Sequence, residues 1–219
     1  MAIRSRQKDL VNEDILHTPI HIIGAGGIGS FTALSLAKCG FDNITVWDFD
    51  SVEEHNLPNQ FYPISAIGNP KVSALGEAVS NWCDISIKQV YAPFSKSDAS
   101  TLSGVVISAV DNMEVRADIY EAVRRNKNVI ALIDGRMGGN QLEIYTTIIA
   151  KISDKKNYVK HLYKDNETAN IPCTQRAVIY NVLNIASWIV NQTRLVLSGK
   201  DYNRNIIFDL ENMILLTPK

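Results

Sequence analysis

Three cysteines in 219 residues, Cys39, Cys83 and Cys173, are too few, too far apart and odd in number for a disulfide framework. They form no C-x-x-C pair, and among the four histidines, His17, His21, His55 and His161, the one i, i+4 pair, His17 and His21, runs into a predicted strand rather than lying on a helix face, so a zinc site is not set up. A structural zinc is not expected; a reducing compartment is. No apolar run reaches the roughly 18 residues of a membrane span, and residues 1–20 carry charges where a secretion signal would have an apolar centre. The expected location is the cytoplasm, with no membrane partner. Charge of one sign is also missing, because 22 Lys and Arg stand against 23 Asp and Glu. No bulk field then draws nucleic acid or anionic lipid, although a local patch remains open. Internal repeats and low-complexity tracts are absent, so the chain reads as one domain over residues 1–219.

What is present is an alternation of short β-rich runs with helical stretches, the pattern of a Rossmann-like, doubly wound α/β fold with a mainly parallel sheet. "PIHIIGAG" reads as a buried strand, "GIGSFTALSLAKCG" as a helix closed by Gly40, and "NITVWDFD" as the next strand. "NPKVSALGEAVSNWC" then reads as a helix and "SIKQVYAPF" as a strand. "GVVISAVD" is a buried strand, "NMEVRADIYEAVRRNK" a helix and "NVIALIDG" another strand. "NQLEIYTTIIA" returns through a Gly-Gly-Asn turn, which predicts an antiparallel extension. Residues 151–173 read as a polar, irregular and mobile crossover. A long helix then runs from Thr174 to about Leu197, and a last hairpin turns at Glu211 and Asn212. Ile179, Val182, Leu183, Ala186, Ile189 and Val190 lie at helical spacing and read as core.

Gly24, Gly26 and Gly29 satisfy G-x-G-x-x-G between a predicted strand and a predicted helix, with Gly27 as a further glycine. That context suits phosphate oxygens facing a helix N-terminus; a glycine-rich turn without a ligand is the plainer alternative. Strand two ends in Asp48-Phe49-Asp50, about two dozen residues past Gly24, where a carboxylate accepts from ribose hydroxyls. Asp50 is the first choice, and its other reading is an N-cap for the segment after it. To this point NAD, FAD and ATP are all compatible. Lys71, just after Pro70 at a helix start, favours ATP, because a cation there neutralises β- or γ-phosphate charge as pyrophosphate leaves. Asp111 closes a buried strand at the edge where open α/β sheets bind ligands. A carboxylate facing phosphates needs a cation between them, so Asp111 reads as a magnesium ligand, or else as the N-cap of the next helix.

Together "GAGGIGS", "DFDSVEEHNL..Q", "GNPK" and "SAVDNMEVR" resemble, in order and spacing, the ThiF/MoeB/HesA family of adenylating enzymes, which includes the ubiquitin-activating enzymes. The resemblance runs from about Arg4 to Arg136. It implies binding of ATP and Mg2+ and adenylation of the C-terminal carboxylate of a small ubiquitin-like or sulfur-carrier protein or peptide. By matching position it puts Gly24, Gly26, Gly27 and Gly29 on the phosphates, Asp50 on the ribose, Asn56 and Lys71 on the phosphates, and Asp111 on the metal. "IRSRQ" resembles the family's amino-terminal arginine segment, so Arg6 would reach into a partner subunit's ATP site and the protein would be a homodimer; Arg4 and Arg6 also fit a solvated basic terminus. "NIPCTQ" resembles the thioester-cysteine stretch of the ubiquitin-activating enzymes and makes Cys173 a candidate nucleophile, the alternative being a small buried hydrophobe.

Two departures from the family pattern matter. Where N-L-x-R-Q is usual, this chain has Asn56-Leu57-Pro58-Asn59-Gln60, so a phosphate-clamping arginine is replaced by Asn59. Arg136, in "LIDGRMGG", lies on the correct sheet edge to substitute, and the alternative is a weak or inactive ATP-binding subunit. The zinc cysteines of many members are also missing. An NAD-dependent oxidoreductase is the remaining rival, and the chain leaves little room for its substrate domain.

Overall fold

The structure, a computed structural model, describes residues 7–163 and 178–218. β1 (Ile20–Ile23) leads into α1 (Gly27–Cys39), and β2 (Ile44–Trp47) into α2 (Lys71–Cys83). β3 (Lys88–Val90), β4 (Gly104–Ser108), α3 (Met113–Val123) and β5 (Val129–Gly138) complete the alternating part. β6 (Gln141–Ile148), α4 (Ile152–Val159), α5 (Ile179–Leu197), β7 (Asn205–Asp209) and β8 (Ile214–Leu216) come after it. The eight strands form one sheet in the order β3-β2-β1-β4-β5-β6-β7-β8. Pairings from β3 to β5 are parallel, and those from β5 to β8 antiparallel.

Alternation along each strand splits the core into two layers. Ile20 and Ile22 of β1, Val105 and Ile107 of β4 and Ile133 of β5 pack with α1, α2 and α5 on one face. His21, Ile23, Val106 and Leu132 point the other way, among side chains of α3 and α4. Burial on both faces explains why β1 and β4 read as largely apolar runs, His21 excepted. α1 ends at Gly40, whose φ of 100° is left-handed, as its position after the last helical residue implied.

The expected crossover needs correction. Ile152–Val159 is a helix rather than an irregular stretch, because its few buried groups find long-range partners. Tyr158 is fully buried and donates to Asp134 Oδ2 at 3.0 Å, and the Asp154 carboxylate accepts from Tyr202 at 2.5 Å and pairs with Arg204 at 3.1 Å. No local periodicity announces contacts of that span. The remainder of the expected crossover, residues 164–173, lies outside the described residues. Among the described residues, no helix is long and apolar enough to cross a membrane.

Candidate functional site

The carboxyl ends of β1, β2, β4 and β5 share one edge of the parallel sheet, and the site grows from what each strand delivers there. β1 delivers the glycine loop. Gly24 has φ 98°, and a Cβ on it would lie 2.6 Å from the Ala109 carbonyl oxygen, so the turn against β4 excludes any side chain. Gly29 meets the same constraint from the helix, its Cβ position lying 1.8 Å from the Gly24 oxygen. Gly26 differs, since a Cβ there would meet nothing within 4 Å. Glycine at 26 answers no need of the fold, and the open space before the N-terminus of α1 is where an anion gains most from the helix end.

Two neighbours hold this loop. Asp48, directly after β2, accepts from the amide of Ala25 at 2.6 Å and from the amide of Asp50 at 2.8 Å. Tyr62 donates its hydroxyl to the carbonyl of Ala25 at 2.6 Å. Burial and the carboxylates of Asp48 and Asp50 push the Tyr62 pKa up, so it stays a donor. The Ala25 peptide is thereby fixed from both sides. The "NLPNQFY" segment lies over the same helix end: the Phe61 amide donates to Ser30 Oγ at 3.0 Å, and the Asn59 carbonyl would be 3.0 Å from a Cβ on Gly27. Asn59, where the family arginine is usual, thus backs the glycine loop. The Asn56 carboxamide oxygen, buried, accepts from the Glu53 amide at 2.9 Å and closes a capping box.

Asp50 and Lys71 are brought together. The Lys71 ammonium, with its side chain 8% exposed, lies 2.8 Å from Asp50 Oδ2, whose side chain is 49% exposed. The half-open carboxylate can turn an oxygen to a ribose, and the sheltered ammonium is a strong point charge beside it. β4 delivers Asp111, exposed, immediately beyond the Val110 side chain that would touch a Cβ on Gly24. Capping of α3 falls to its neighbour, since Asn112 accepts from the Val115 amide at 3.0 Å and occupies the N-cap. Asp111 is therefore not needed for capping. Among the described residues no cluster of three metal-type ligands occurs. A lone exposed carboxylate fits Mg2+, an ion commonly held by one or two carboxylates together with substrate phosphates and water.

β5 delivers Asp134 and Arg136 to the α3/α4 face, two residues apart and so on one side of the strand. Asp134 is fully buried and pairs with Arg116 of α3, which also donates to the carbonyl of Val110. Arg136 donates Nε to Asp134 Oδ2 at 2.8 Å and Nη1 to the His161 carbonyl at 2.7 Å, and its guanidinium lies 4.5 Å from the Tyr145 ring centroid. Burial, then Arg136, lowers the Arg116 pKa to about 10, which leaves it protonated at neutral pH. Glu143, cross-strand from Arg136, accepts from the Tyr145 hydroxyl at 2.7 Å and supplies a second negative charge nearer the surface. The structure thus brings Arg136 to Asp134 rather than leaving it free. Asp48, Tyr62, Arg116, Asp134 and Tyr158 were not singled out from sequence; only Asp48, beside Asp50 in D-F-D, carried a visible signal. Arg4, Arg6 and Cys173 lie outside the described residues.

Comparison with known proteins bears on the family and the fold. Over 126 residues the chain is 29% identical to ubiquitin-like modifier-activating enzyme 5 of Culex quinquefasciatus, covering 50% of this chain and 32% of that protein. Over 127 residues it is 32% identical to tRNA threonylcarbamoyladenosine dehydratase of Haemophilus influenzae, covering 55% of this chain and 48% of that protein. The chain therefore spans about a third to a half of the length of these relatives. Among solved structures, PaaA superposes with a TM-score of 0.76 at 17% identity, over 99% of this chain and 68% of that one. E. coli MccB with ATP gives a TM-score of 0.76 at 14% identity, over 94% and 65%. At such identities the likeness speaks for the fold. The ThiF family matches residues 3–217, nearly the whole chain, and this protein belongs to that family.

Proposed function

We propose that this chain is an ATP-dependent adenylyltransferase that activates the C-terminal carboxylate of a small ubiquitin-like or sulfur-carrier protein or peptide. The observation that carries this reading is the open cradle at Gly26, flanked by the Asp50–Lys71 pair and by Asp111 on one sheet edge. Membership of the ThiF family supports it, as does the fold shared with MccB, which has been solved with ATP and with MccA. Phosphates face the amides of the Gly24–Gly29 loop, and Asp50 accepts from the ribose. Lys71 is shared between Asp50 and the phosphates, and Asn56 borders them. The carboxylate attacks the α-phosphorus in line; a C–O–P bond forms as the bond to the β-phosphate oxygen breaks, and pyrophosphate carries the charge away. No general base is needed, because the nucleophile is already ionised.

Asp111 would hold Mg2+, an ion that neutralises charge developing on the departing pyrophosphate. Lys71 adds a fixed positive charge there, and Arg136 adds field from behind where Asn59 supplies none. Arg6 entering a partner subunit's site, a homodimer and a cytoplasmic location belong to the same reading. The Cys173 thiolate would then attack the acyl carbon of the adenylate, a C–S bond forming as the C–O bond to the phosphate breaks and AMP leaves, which gives a thioester. The second reading, an ATP-binding subunit with weak or no turnover, rests on Asn59 alone.

ATP–pyrophosphate exchange separates the two. With proteins captured on the chain supplied as acyl donor, exchange should fall about 10²–10³-fold in Lys71→Ala. It should also be lost in Arg136→Ala. Cys173→Ser should keep exchange and lose any reducible conjugate. ATP binding without exchange under these conditions favours the second reading, and preference for NAD over ATP in calorimetry rejects both.

A further inference from the structure

Away from the nucleotide edge, the charge of this nearly neutral chain is unevenly placed. A cavity of about 330 Å³ opens between the end of α3 and the length of α4. Arg124 and Arg125 stand on one wall, Lys155 and Lys156 on the other. Between them lie Ile152 and Val159, 67% and 49% exposed, with the buried ring of Tyr120 beneath. Positions 152, 155, 156 and 159 share one face of α4, so this polar helix turns aliphatic side chains and cations outward together.

The neighbouring acids neutralise one of these cations, Arg124, and leave the other three. Asp154, the one acidic residue of α4, is buried on the opposite side with Tyr202 and Arg204. Glu121 takes Arg124 at 2.6 Å, and Asp118 is drawn to Lys96 at 3.8 Å. Among the described residues, no carboxylate pairs with Arg125, Lys155 or Lys156.

We propose that this groove docks an acidic segment of a partner protein, a short stretch in which an aliphatic or aromatic anchor is flanked by Asp or Glu. The anchor covers Ile152 and Val159, and the flanking carboxylates meet Arg125, Lys155 and Lys156. A nucleic acid strand would use the cations but leave the aliphatic floor in water, and single-strand binders stack bases on exposed rings. Among the described residues lining it, the one ring, Tyr120, is 7% exposed and donates its hydroxyl to the Lys155 carbonyl at 3.5 Å. Charge complementarity together with an apolar floor is the signature of a peptide anchor in a polar rim. The groove sits at the C-terminal end of α3, whereas Asp111 and the nucleotide edge adjoin its N-terminal end, so docking leaves that edge open. The proposal does not depend on adenylation.

The test uses the full chain and a fluorescein-labelled synthetic peptide with a Leu-Phe pair between runs of Asp and Glu, monitored by fluorescence anisotropy. Saturable binding is expected, weakening about tenfold as salt rises from about 50 mM to about 300 mM. Arg125→Glu and the double change Lys155→Glu/Lys156→Glu should each weaken it at least about tenfold, equivalent to about 1.4 kcal/mol. A peptide with Ser-Ser for Leu-Phe, and an Ile152→Ser chain, should lose affinity as well. Lys156→Glu, at an exposed position, serves should the double variant unfold. Failure of the acidic peptide to bind, indifference to charge reversal, or equal binding of the Ser-Ser peptide would each overturn the proposal. Tighter binding of a single-stranded oligonucleotide of equal charge would make the groove a nucleic acid surface instead.

Discussion

Gly26 and Gly29 belong to one motif yet answer to different physics. A methyl at Gly29 meets the Gly24 carbonyl at 1.8 Å, so Gly29→Ala forces the helix off the strand and should cost about 1–3 kcal/mol or more in urea unfolding. A methyl at Gly26 enters open space at φ −74°, so Gly26→Ala should keep the thermal midpoint and weaken ATP binding at least about tenfold by calorimetry. Equal affinity in that variant would place the phosphates elsewhere. His21 gives a residue-scale pH dependence. Burial, then Lys88, lowers its pKa below the ordinary 6.5, and its Nε2 accepts from the Ser103 amide at 3.4 Å, which requires the neutral ring. Because the folded-state value is depressed, the stabilisation is complete above 6.5 and is lost as pH falls below it. Urea midpoints should fall between about pH 7.5 and about pH 5.5, and His21→Gln should flatten that slope.

Among the elements, β5 is where structure and site meet. Its Gly135 faces α5, with a Cβ position 2.6 Å from Ile189, while Asp134 and Arg136 face α3 and α4. Two guanidiniums on one fully buried carboxylate stand only while the carboxylate remains. Asp134→Asn leaves them uncompensated and should cost about 3–5 kcal/mol by denaturant unfolding. Arg136→Met, leaving Arg116 and Asp134 as a matched pair, should cost less; the reverse order would show that packing of Arg136 on Tyr145 outweighs charge. The cluster was illegible in sequence because Arg116 and Asp134 meet only after β4 and β5 pair with Ser108 opposite Asp134. α4 was missed for a related reason: "ISDKKNYV" lacks an apolar stripe, and its anchors, Asp154 and Tyr158, are polar groups satisfied by distant partners.

For the whole molecule, an edge assembled from the ends of β1, β2 and β4 couples ligand binding to global stability. A nucleotide that binds only the folded chain should raise the unfolding free energy by about 2.7 kcal/mol at a hundredfold excess over its Kd. Differential scanning fluorimetry should show the thermal midpoint rising with ATP and Mg2+, the rise shrinking in Asp111→Asn, and no comparable rise with NAD. An equal shift with NAD would return the site to the dinucleotide reading. Among the described residues β8 is an edge strand of this sheet, with Ile214, Leu215 and Leu216 each about half exposed, a contrast with the doubly buried β1 and β4.

The sequence by itself determined the alternation of strands and helices, the antiparallel return after Gly139, the family, and the presence of Gly24–Gly29, Asp50, Lys71 and Asp111 at strand or helix ends. Those features arise from local periodicity and from glycine and acid positions, which depend on near neighbours along the chain. Only the tertiary structure decided that Lys71 lies against Asp50, that Asp48 and Tyr62 fix the Ala25 peptide, that Arg136 is held by Asp134, and that four cations and two aliphatic side chains share one groove. Each joins residues remote in sequence, and their pairing is set by sheet register and helix packing, quantities that no local pattern encodes.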